Sequence, residues 1–124
     1  VHNGIEYGMM QSFAEGFALL AARREFDFDL GRLAETWRHG SVVRSWLLDL
    51  LVRALDERPG LEGVPAVASD SGEGRWAVTE AVAAGVPVPV TTAALFARFA
   101  SQRPDDPALK AIAALRNQFG GHPL

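Results

Sequence analysis

One apolar stripe near the start of the chain does most to limit its possible folds. Its members recur at spacings of three and four residues and are Ile5, Met9, Phe13, Phe17 and Leu20. This spacing places all five side chains on one face of an α-helix. The sequence therefore predicts a long N-terminal helix, from about Asn3 to Glu25, around which the domain is built.

A second stripe on the same segment consists of small residues at every fourth position, namely Gly4, Gly8, Ser12 and Gly16. Each glycine inside a helix costs about 1 kcal/mol relative to alanine. Glycine also lets another backbone, side chain or ligand come unusually close. We therefore expect close contact along this face, and helix packing explains it better than a ligand does.

The rest of the chain also reads as helices joined by turns. The predicted segments are a turn at 26–30, a helix from Leu30 to about Gly40, a helix from Val42 to Arg58 capped by Ser41, a loop to Gly74, a helix from Trp76 to Ala84, an extended connector at 86–89, a helix from Thr91 or Thr92 to Ser101, and a helix from Pro107 to Gln118. The Val42 helix is apolar around much of its girth, which indicates burial on more than one side. About six helices without a convincing strand predict one all-α domain over residues 1–124.

Composition excludes several classes of function. The formal charge is −3, from 12 Lys+Arg against 15 Asp+Glu, so no excess of cations is present to bind nucleic acid or an anionic membrane. The absence of cysteine removes disulfides, thiolate catalysis and cysteine zinc sites, and fits a cytoplasmic protein. No apolar run is long enough to span a bilayer. The three histidines, at 2, 39 and 122, are far apart, so we expect no metal site.

Polar side chains at the N-terminus form the first candidate site. His2, Asn3, Glu6 and Tyr7 are three or four residues apart and can share one helix face. A carboxyl group there can transfer a proton, and an amide can orient a substrate hydroxyl. The Asn3 to Glu6 spacing is also that of a capping box at a helix start, and spacing alone favours the capping box.

Three further features could bind an anion. Ser71-Gly72-Glu73-Gly74 is a glycine-rich turn that enters a helix, but it has neither P-loop spacing nor a dinucleotide-binding pattern, and its composition alone favours a plain turn. Arg98 interrupts an apolar run, so its guanidinium must reach solvent, pair with a carboxylate or meet an anion. Arg116 and His122 flank a flexible glycine pair, an arrangement typical either of phosphate binding or of a frayed helix end.

Four segments taken together resemble 6-phosphogluconate dehydrogenase of the short bacterial type. They are Val-His-Asn-Gly-Ile-Glu-Tyr-Gly at 1–8, Ser-Gly-Glu-Gly-Arg-Trp at 71–76, Leu-Phe-Ala-Arg-Phe at 95–99 and Arg-Asn-Gln-Phe-Gly-Gly-His at 116–122. The first segment is the most specific, and all four occur in the family's order. The resemblance is to the all-helical C-terminal domain, and it implies an NAD- or NADP-binding Rossmann domain upstream of Val1.

The resemblance implies oxidative decarboxylation of 6-phosphogluconate to ribulose 5-phosphate. Glu6 would then be the general acid, a role that requires a protonated carboxyl near neutral pH. Asn3 would be the second catalytic residue and would also contact the cofactor. His2 and Asn3 would bind substrate hydroxyls or the carboxylate. The family's general base is a lysine that would fall two positions before Val1. Because that residue and the cofactor domain are not in these 124 residues, we expect the isolated chain to be inactive.

The resemblance also implies how the phosphate is bound. Tyr7, Arg98 and the loop at Ser71 and Gly72 would bind it from one subunit. Arg116 and His122 would come from the C-terminal tail of the other subunit, so the resemblance implies an intertwined homodimer.

The loop departs from the longer family members, which place lysine and threonine near the phosphate where this chain has Ser71 and Glu73. Glu73 would repel a phosphate unless it turns away, and backbone N–H groups of Gly72 and Gly74 could replace the missing side chains. Two alternatives therefore stay open. One is a related β-hydroxyacid dehydrogenase or imine reductase domain, and the other is a non-catalytic helical dimerisation module.

Overall fold

The computed structural model describes all 124 residues, Val1–Leu124, and confirms the all-α prediction. Its helices are α1 (His2–Ala22), α2 (Leu30–Trp37), α3 (Trp46–Glu57), α4 (Glu73–Ala84), α5 (Pro89–Ser101) and α6 (Pro107–Gly120). Two short 3-10 turns, Arg24–Phe26 and Pro59–Leu61, lie between them. No strand is present.

Helix α1 contributes to both hydrophobic cores of the domain. Its N-terminal half packs against α4 and α5, and its C-terminal half packs against α2 and α3. The first core contains Tyr7, Ala94 and Leu95. The second contains Phe17, Ala34, Leu48, Val52 and Leu55. The predicted long N-terminal helix is therefore present, and its N-terminal turn lies beside α4 and α5.

The small-residue stripe of α1 explains that close packing. A Cβ atom built on Gly4 would lie 3.1 Å from the Cβ of Ala77, and one built on Gly8 would lie 3.2 Å from a methyl group of Val90. A Cβ on Gly16 would meet nothing within 4 Å. The prediction of close helix packing is confirmed for Gly4 and Gly8 and is wrong for Gly16.

Several predicted helix boundaries are wrong. The third helix begins at Trp46 rather than Val42, because the Ser45 hydroxyl accepts the Leu48 N–H and caps the helix there. The Ser41 hydroxyl instead accepts the Val43 N–H within a turn, and Val42 is fully exposed rather than buried on two sides. Two adjacent β-branched residues disfavour an extra helical turn before the cap.

The other boundary errors also have local causes. Helix α1 ends at Ala22, and the chain then makes a 3-10 turn closed by a left-handed Asp27. Helix α4 begins at Glu73, because Gly72 adopts φ 109°, which ends the preceding loop there. Helix α5 begins at Pro89, since a proline fits the first turn of a helix.

Helix α6 is set apart from the rest of the fold. None of its residues is buried, and it belongs to neither core. Its apolar side chains stay largely exposed, including Leu109 at 65% and Phe119 at 79%. Only 11 of the 124 residues are buried in the chain as a whole. No helix combines the length and the apolar character that a membrane crossing requires.

Candidate functional site

The polar residues of the first turn of α1 lie together, as the spacing predicts. The Nδ1 atom of His2 is 2.9 Å from Oδ1 of Asn3 and 3.9 Å from Oε2 of Glu6. The capping-box prediction is wrong, because Asn3 lies inside the helix. The N-cap residue is Val1, and no side-chain hydrogen bond caps the helix there. The amide and carboxylate are therefore not used by the helix end.

A cleft of about 420 Å³ separates this turn from the start of α4. Its lining includes His2, Asn3, Glu73, Trp76 and Glu80. Two larger cavities, of about 690 and 500 Å³, are apolar grooves beside the middle of α1. The smaller cleft is lined partly by polar and titratable groups, including the carboxylates of Glu73 and Glu80, whereas the grooves are suited to apolar side chains.

Tyr7 connects the first turn of α1 to α4 and α5. Its side chain is 4% exposed, and its hydroxyl has no hydrogen-bond partner. The guanidinium carbon of Arg98 lies 3.6 Å from the centroid of the Tyr7 ring. The structure thus brings together two residues that are 91 positions apart in sequence, with the cation on the ring face as in a cation–π contact.

Arg98 is held by the loop before α4 as well as by Tyr7. Its Nη1 donates to the carbonyl oxygen of Ser69 at 3.0 Å, and Nη2 lies 3.9 Å from the sulfur of Met10. It forms no ion pair with a carboxylate. The guanidinium is therefore oriented on two sides, and no carboxylate balances its positive charge, so it is able to bind an anion.

The donors predicted in the glycine-rich loop are largely engaged within the loop. The Ser71 hydroxyl donates to Glu73 at 2.7 Å, and the Gly72 N–H donates to Asp70 at 2.9 Å. The Ser71 hydroxyl is the main cause that holds the pKa of Glu73 below its ordinary value. Glu73 is therefore an anion at neutral pH, and Gly72 does not offer a free N–H in this arrangement.

Sequence reasoning missed an ion pair in the same loop, between a largely covered aspartate and an exposed arginine. Asp70, whose side chain is 5% exposed, accepts from Nη2 of Arg75 at 2.7 Å and from its Nε at 3.1 Å. Arg75 also lies over the ring of Phe99, 4.8 Å from its centroid. The only sequence signal is an aspartate before a glycine turn and an arginine five residues later, a pattern too common to indicate a site.

Gly74 also has a packing role that the sequence did not indicate. A Cβ atom there would lie 2.5 Å from Cε2 of Tyr7, too close for any side chain. The ring cannot move away easily, because it is buried and covered by Arg98 on one face. Glycine at this position is therefore required for Tyr7 to lie where it does.

Replacing Gly74 with alanine is expected to destabilise the fold by about 1–3 kcal/mol, the usual cost of overpacking a core. Thermal or denaturant unfolding measures the change. Gly16→Ala is the matched control, since it adds the same methyl group to open space and removes a helical glycine, which stabilises by about 1 kcal/mol or less. Equal stability of Gly74→Ala and the parent protein would show that Tyr7 does not occupy this position.

Arg116 and His122 are not part of this cluster within one chain. Both are on or after α6, which has no buried residue. The main-chain oxygen of His122 accepts from Asn117, and its ring lies against Gly120. Neither residue makes a hydrogen bond to Tyr7, Arg98 or the loop. No group of three or more metal-binding side chains occurs.

Comparison with known proteins identifies the family of the chain. Residues 1–119 match the family model described as 6-phosphogluconate dehydrogenase, C-terminal domain. The chain is 44% identical over 122 residues to "Putative 6-phosphogluconate dehydrogenase YqeC" of Bacillus subtilis (strain 168), covering 98% of this chain and 41% of that protein. It is 42% identical over 123 residues to the "6-phosphogluconate dehydrogenase, NAD(+)-dependent, decarboxylating" of Haloferax volcanii, again covering 98% and 41%.

A third relative is the Bacillus subtilis (strain 168) protein "6-phosphogluconate dehydrogenase, NAD(+)-dependent, decarboxylating", which is 32% identical over 108 residues, or 82% of this chain and 23% of that protein. The chain thus spans less than half the length of the relatives it matches. With a match over 119 residues and an all-helical fold, the chain belongs to the 6-phosphogluconate dehydrogenase family and corresponds to its C-terminal domain.

Proposed function

We propose that this chain is the substrate-binding and catalytic half of an NAD- or NADP-dependent enzyme that converts 6-phosphogluconate to ribulose 5-phosphate. One observation carries the proposal: an Arg98 guanidinium that no carboxylate balances lies on the buried ring of Tyr7, which belongs to the same first two turns of α1 as His2, Asn3 and Glu6. A cation at one end and proton-transfer groups at the other match a sugar acid phosphorylated at its far end.

The phosphorylated end of the substrate is bound by Arg98 and Tyr7. A phosphate has only acceptor oxygens, and both side chains can donate to it. Arg98 is the more accessible donor, and the Tyr7 hydroxyl, which is unpaired but buried beside Asp70, donates once it turns from Asp70 to the phosphate. Because Glu73 is ionised by its contact with Ser71, phosphate approaches from the Arg98 side of the loop rather than over Glu73.

The sugar-acid end lies beside the first turn of α1, where Glu6 follows His2 and Asn3. His2 and Asn3 bind hydroxyl or carboxylate oxygens, and Glu6 donates the proton that completes the reaction after carbon dioxide has left. Asn3 is the residue of this chain that contacts the cofactor. The nicotinamide cofactor, when bound, accepts a hydride from the substrate, and a Rossmann domain upstream of Val1 holds most of it. We call this chain together with that domain the two-domain protein.

The site is completed by a second copy of the chain. A domain with only 11 buried residues, apolar grooves along α1 and an unpacked α6 exposes more apolar surface than a monomer usually does. We propose a homodimer in which α6 of each subunit packs on the other. That arrangement delivers Arg116 and His122 to the phosphate of the neighbouring site.

A related β-hydroxyacid dehydrogenase or imine reductase is the second candidate. It is favoured by the loop, where Ser71 and Gly72 are engaged internally and Glu73 adds a negative charge. An enzyme of that kind would bind a substrate without a phosphate, so it would not depend on Arg98.

Replacing Arg98 with alanine in the two-domain protein distinguishes these candidates. The dissociation constant of 6-phosphogluconate is expected to rise about 10- to 100-fold, since a hydrogen bond to a charged group is worth about 1.5–3 kcal/mol. Titration calorimetry with 6-phosphogluconate measures it, and gluconate, which lacks the phosphate, should bind almost equally to both proteins. Arg103→Ala, which removes an exposed arginine paired with Asp106, is the control. Unchanged affinity for 6-phosphogluconate would favour the related enzymes.

A further inference from the structure

Asp70 is the most buried ionised side chain near the site, and no role has yet been given to it. Its side chain is 5% exposed and accepts two hydrogen bonds from Arg75 and one from the Gly72 N–H. These contacts tie the residues before α4 to its first turn. The carboxylate therefore determines the shape of the loop that adjoins the site.

That loop in turn orients the cation of the site. Ser69 precedes Asp70, and its carbonyl oxygen accepts from Nη1 of Arg98 at 3.0 Å. Four residues after Asp70, Gly74 lies against the ring of Tyr7. The segment fixed by Asp70 thus contacts Arg98 through the residue before Asp70 and Tyr7 through a residue after it.

The charge of Asp70 is compatible with a nearby anion because Arg75 balances it. Arg75 pairs with the carboxylate and also lies over the ring of Phe99. Hydrogen bonds from Arg75 are the main cause that holds the pKa of Asp70 below its ordinary value. The neighbouring Tyr7 hydroxyl lowers this pKa least, and it does not form a hydrogen bond of good geometry to the Asp70 carboxylate. Asp70 is therefore ionised at neutral pH, and the pair carries no net charge.

We propose that Asp70 is a positioning residue for phosphate recognition, acting through Ser69 on Arg98 and through Gly74 on Tyr7. This inference rests on the proposed function, since it assumes that Arg98 and Tyr7 bind the phosphorylated end of the substrate. The role is geometric and not electrostatic. The direction of the change in substrate affinity distinguishes the two roles, because removing a carboxylate near a phosphate would tighten binding if charge alone mattered.

Two variants that break the same pair from opposite sides make the test. Asp70→Asn leaves Arg75 unbalanced and adds a positive charge, whereas Arg75→Gln leaves Asp70 unbalanced and adds a negative charge. If the pair positions Arg98, both variants raise KM for 6-phosphogluconate by roughly 5- to 20-fold and change kcat by less than about twofold, since ground-state orientation is lost but not the reacting groups. If charge alone acts, KM falls in Asp70→Asn and rises in Arg75→Gln, and this result would overturn the proposal.

A double-mutant cycle shows whether the effect passes through Arg98. Asp70→Asn is expected to cost less 6-phosphogluconate affinity when Arg98 is already alanine, because only the route through Gly74 and Tyr7 then remains. Additive losses would indicate general loosening of the fold and would refute the positioning role. Asp105→Asn, which breaks an exposed pair with Lys110, is the control and should leave KM unchanged.

Other outcomes separate this inference from the proposed function. All variants are assayed in the two-domain protein, with thermal unfolding to confirm that they are folded. If the parent protein itself does not bind 6-phosphogluconate, the proposed function fails. If the parent binds it and Asp70→Asn and Arg75→Gln fold and keep the parent KM, only the role of Asp70 fails.

Discussion

Replacing Glu6 with glutamine is expected to lower kcat of the two-domain protein by about 100-fold or more, the usual contribution of a positioned general acid. Glutamine keeps the size and hydrogen bonding of the side chain but cannot give up a proton as a carboxylic acid does. Glu6 lies within the first turn of α1 beside His2, and its side chain is 38% exposed, so neither core depends on it. The loss should therefore appear in turnover and not in stability.

Steady-state release of ribulose 5-phosphate measures this loss, and titration calorimetry checks that 6-phosphogluconate still binds with nearly the parent affinity. Glu15→Gln is the matched control, because Glu15 lies on the same helix and only accepts a solvent-exposed bond from Gln11. It should leave kcat unchanged. Full turnover by Glu6→Gln would mean that Glu6 is not the acid and would favour the non-catalytic dimerisation module.

The sequence could predict the features that depend on local periodicity. The stripe from Ile5 to Leu20 indicates α1 because a helix repeats its environment every three or four residues. Left-handed glycine ends α4 at Gly85, and Asp106 caps α6 just before Pro107, as the residue types suggest. Each of these features is decided within a few residues of the chain, so one sequence contains the needed information.

Features decided by competing local contacts were predicted less well. Ser41 and Ser45 are both good helix caps, and the structure uses Ser45 for α3 and Ser41 for a turn. Asn3 and Glu6 have the spacing of a capping box, yet the N-cap is Val1, two residues before Asn3, and the helix does not use the box. The sequence alone cannot rank two caps of similar free energy, since packing elsewhere decides between them.

Contacts between segments that are distant in sequence could be identified only from the structure or from the family resemblance. Nothing local brings Arg98 to Tyr7, and an arginine in an apolar run more often reaches solvent. The pair of Asp70 with Arg75, and the need for glycine at 74, follow only when the loop lies against α1 and α5. The resemblance grouped Tyr7, Arg98 and the loop, but it did not indicate that Ser71 and Gly72 are already engaged.

Placing an aspartate on the apolar face of α6 is expected to dissociate the proposed homodimer and to reduce turnover by about 100-fold or more. The exposed apolar side chains of α6 are spaced by three and four and share one face; they are Leu109, Ile112, Leu115 and Phe119. Ile112→Asp puts an unpaired charge at the centre of that face, which is costly where it must be buried. Light scattering after size-exclusion chromatography measures the mass of the assembly. Ala114→Asp adds the same charge to the opposite face and should preserve the dimer, and a dimeric, active Ile112→Asp protein would contradict the proposed packing.

Mixing two defective variants, assayed at 6-phosphogluconate concentrations well below KM, tests whether the tail of one subunit enters the site of the other. Glu6→Gln disables the acid of its own subunit, whereas Arg116→Ala would disable the phosphate contact in the neighbouring site. A mixed dimer then has one site with both defects and one intact site, so an equal mixture after exchange should recover about a quarter of the parent activity. If Arg116 instead served its own subunit, every site would keep one defect and mixing would restore nothing. Recovery therefore depends on shared sites, which a single chain with an unpacked α6 cannot form by itself.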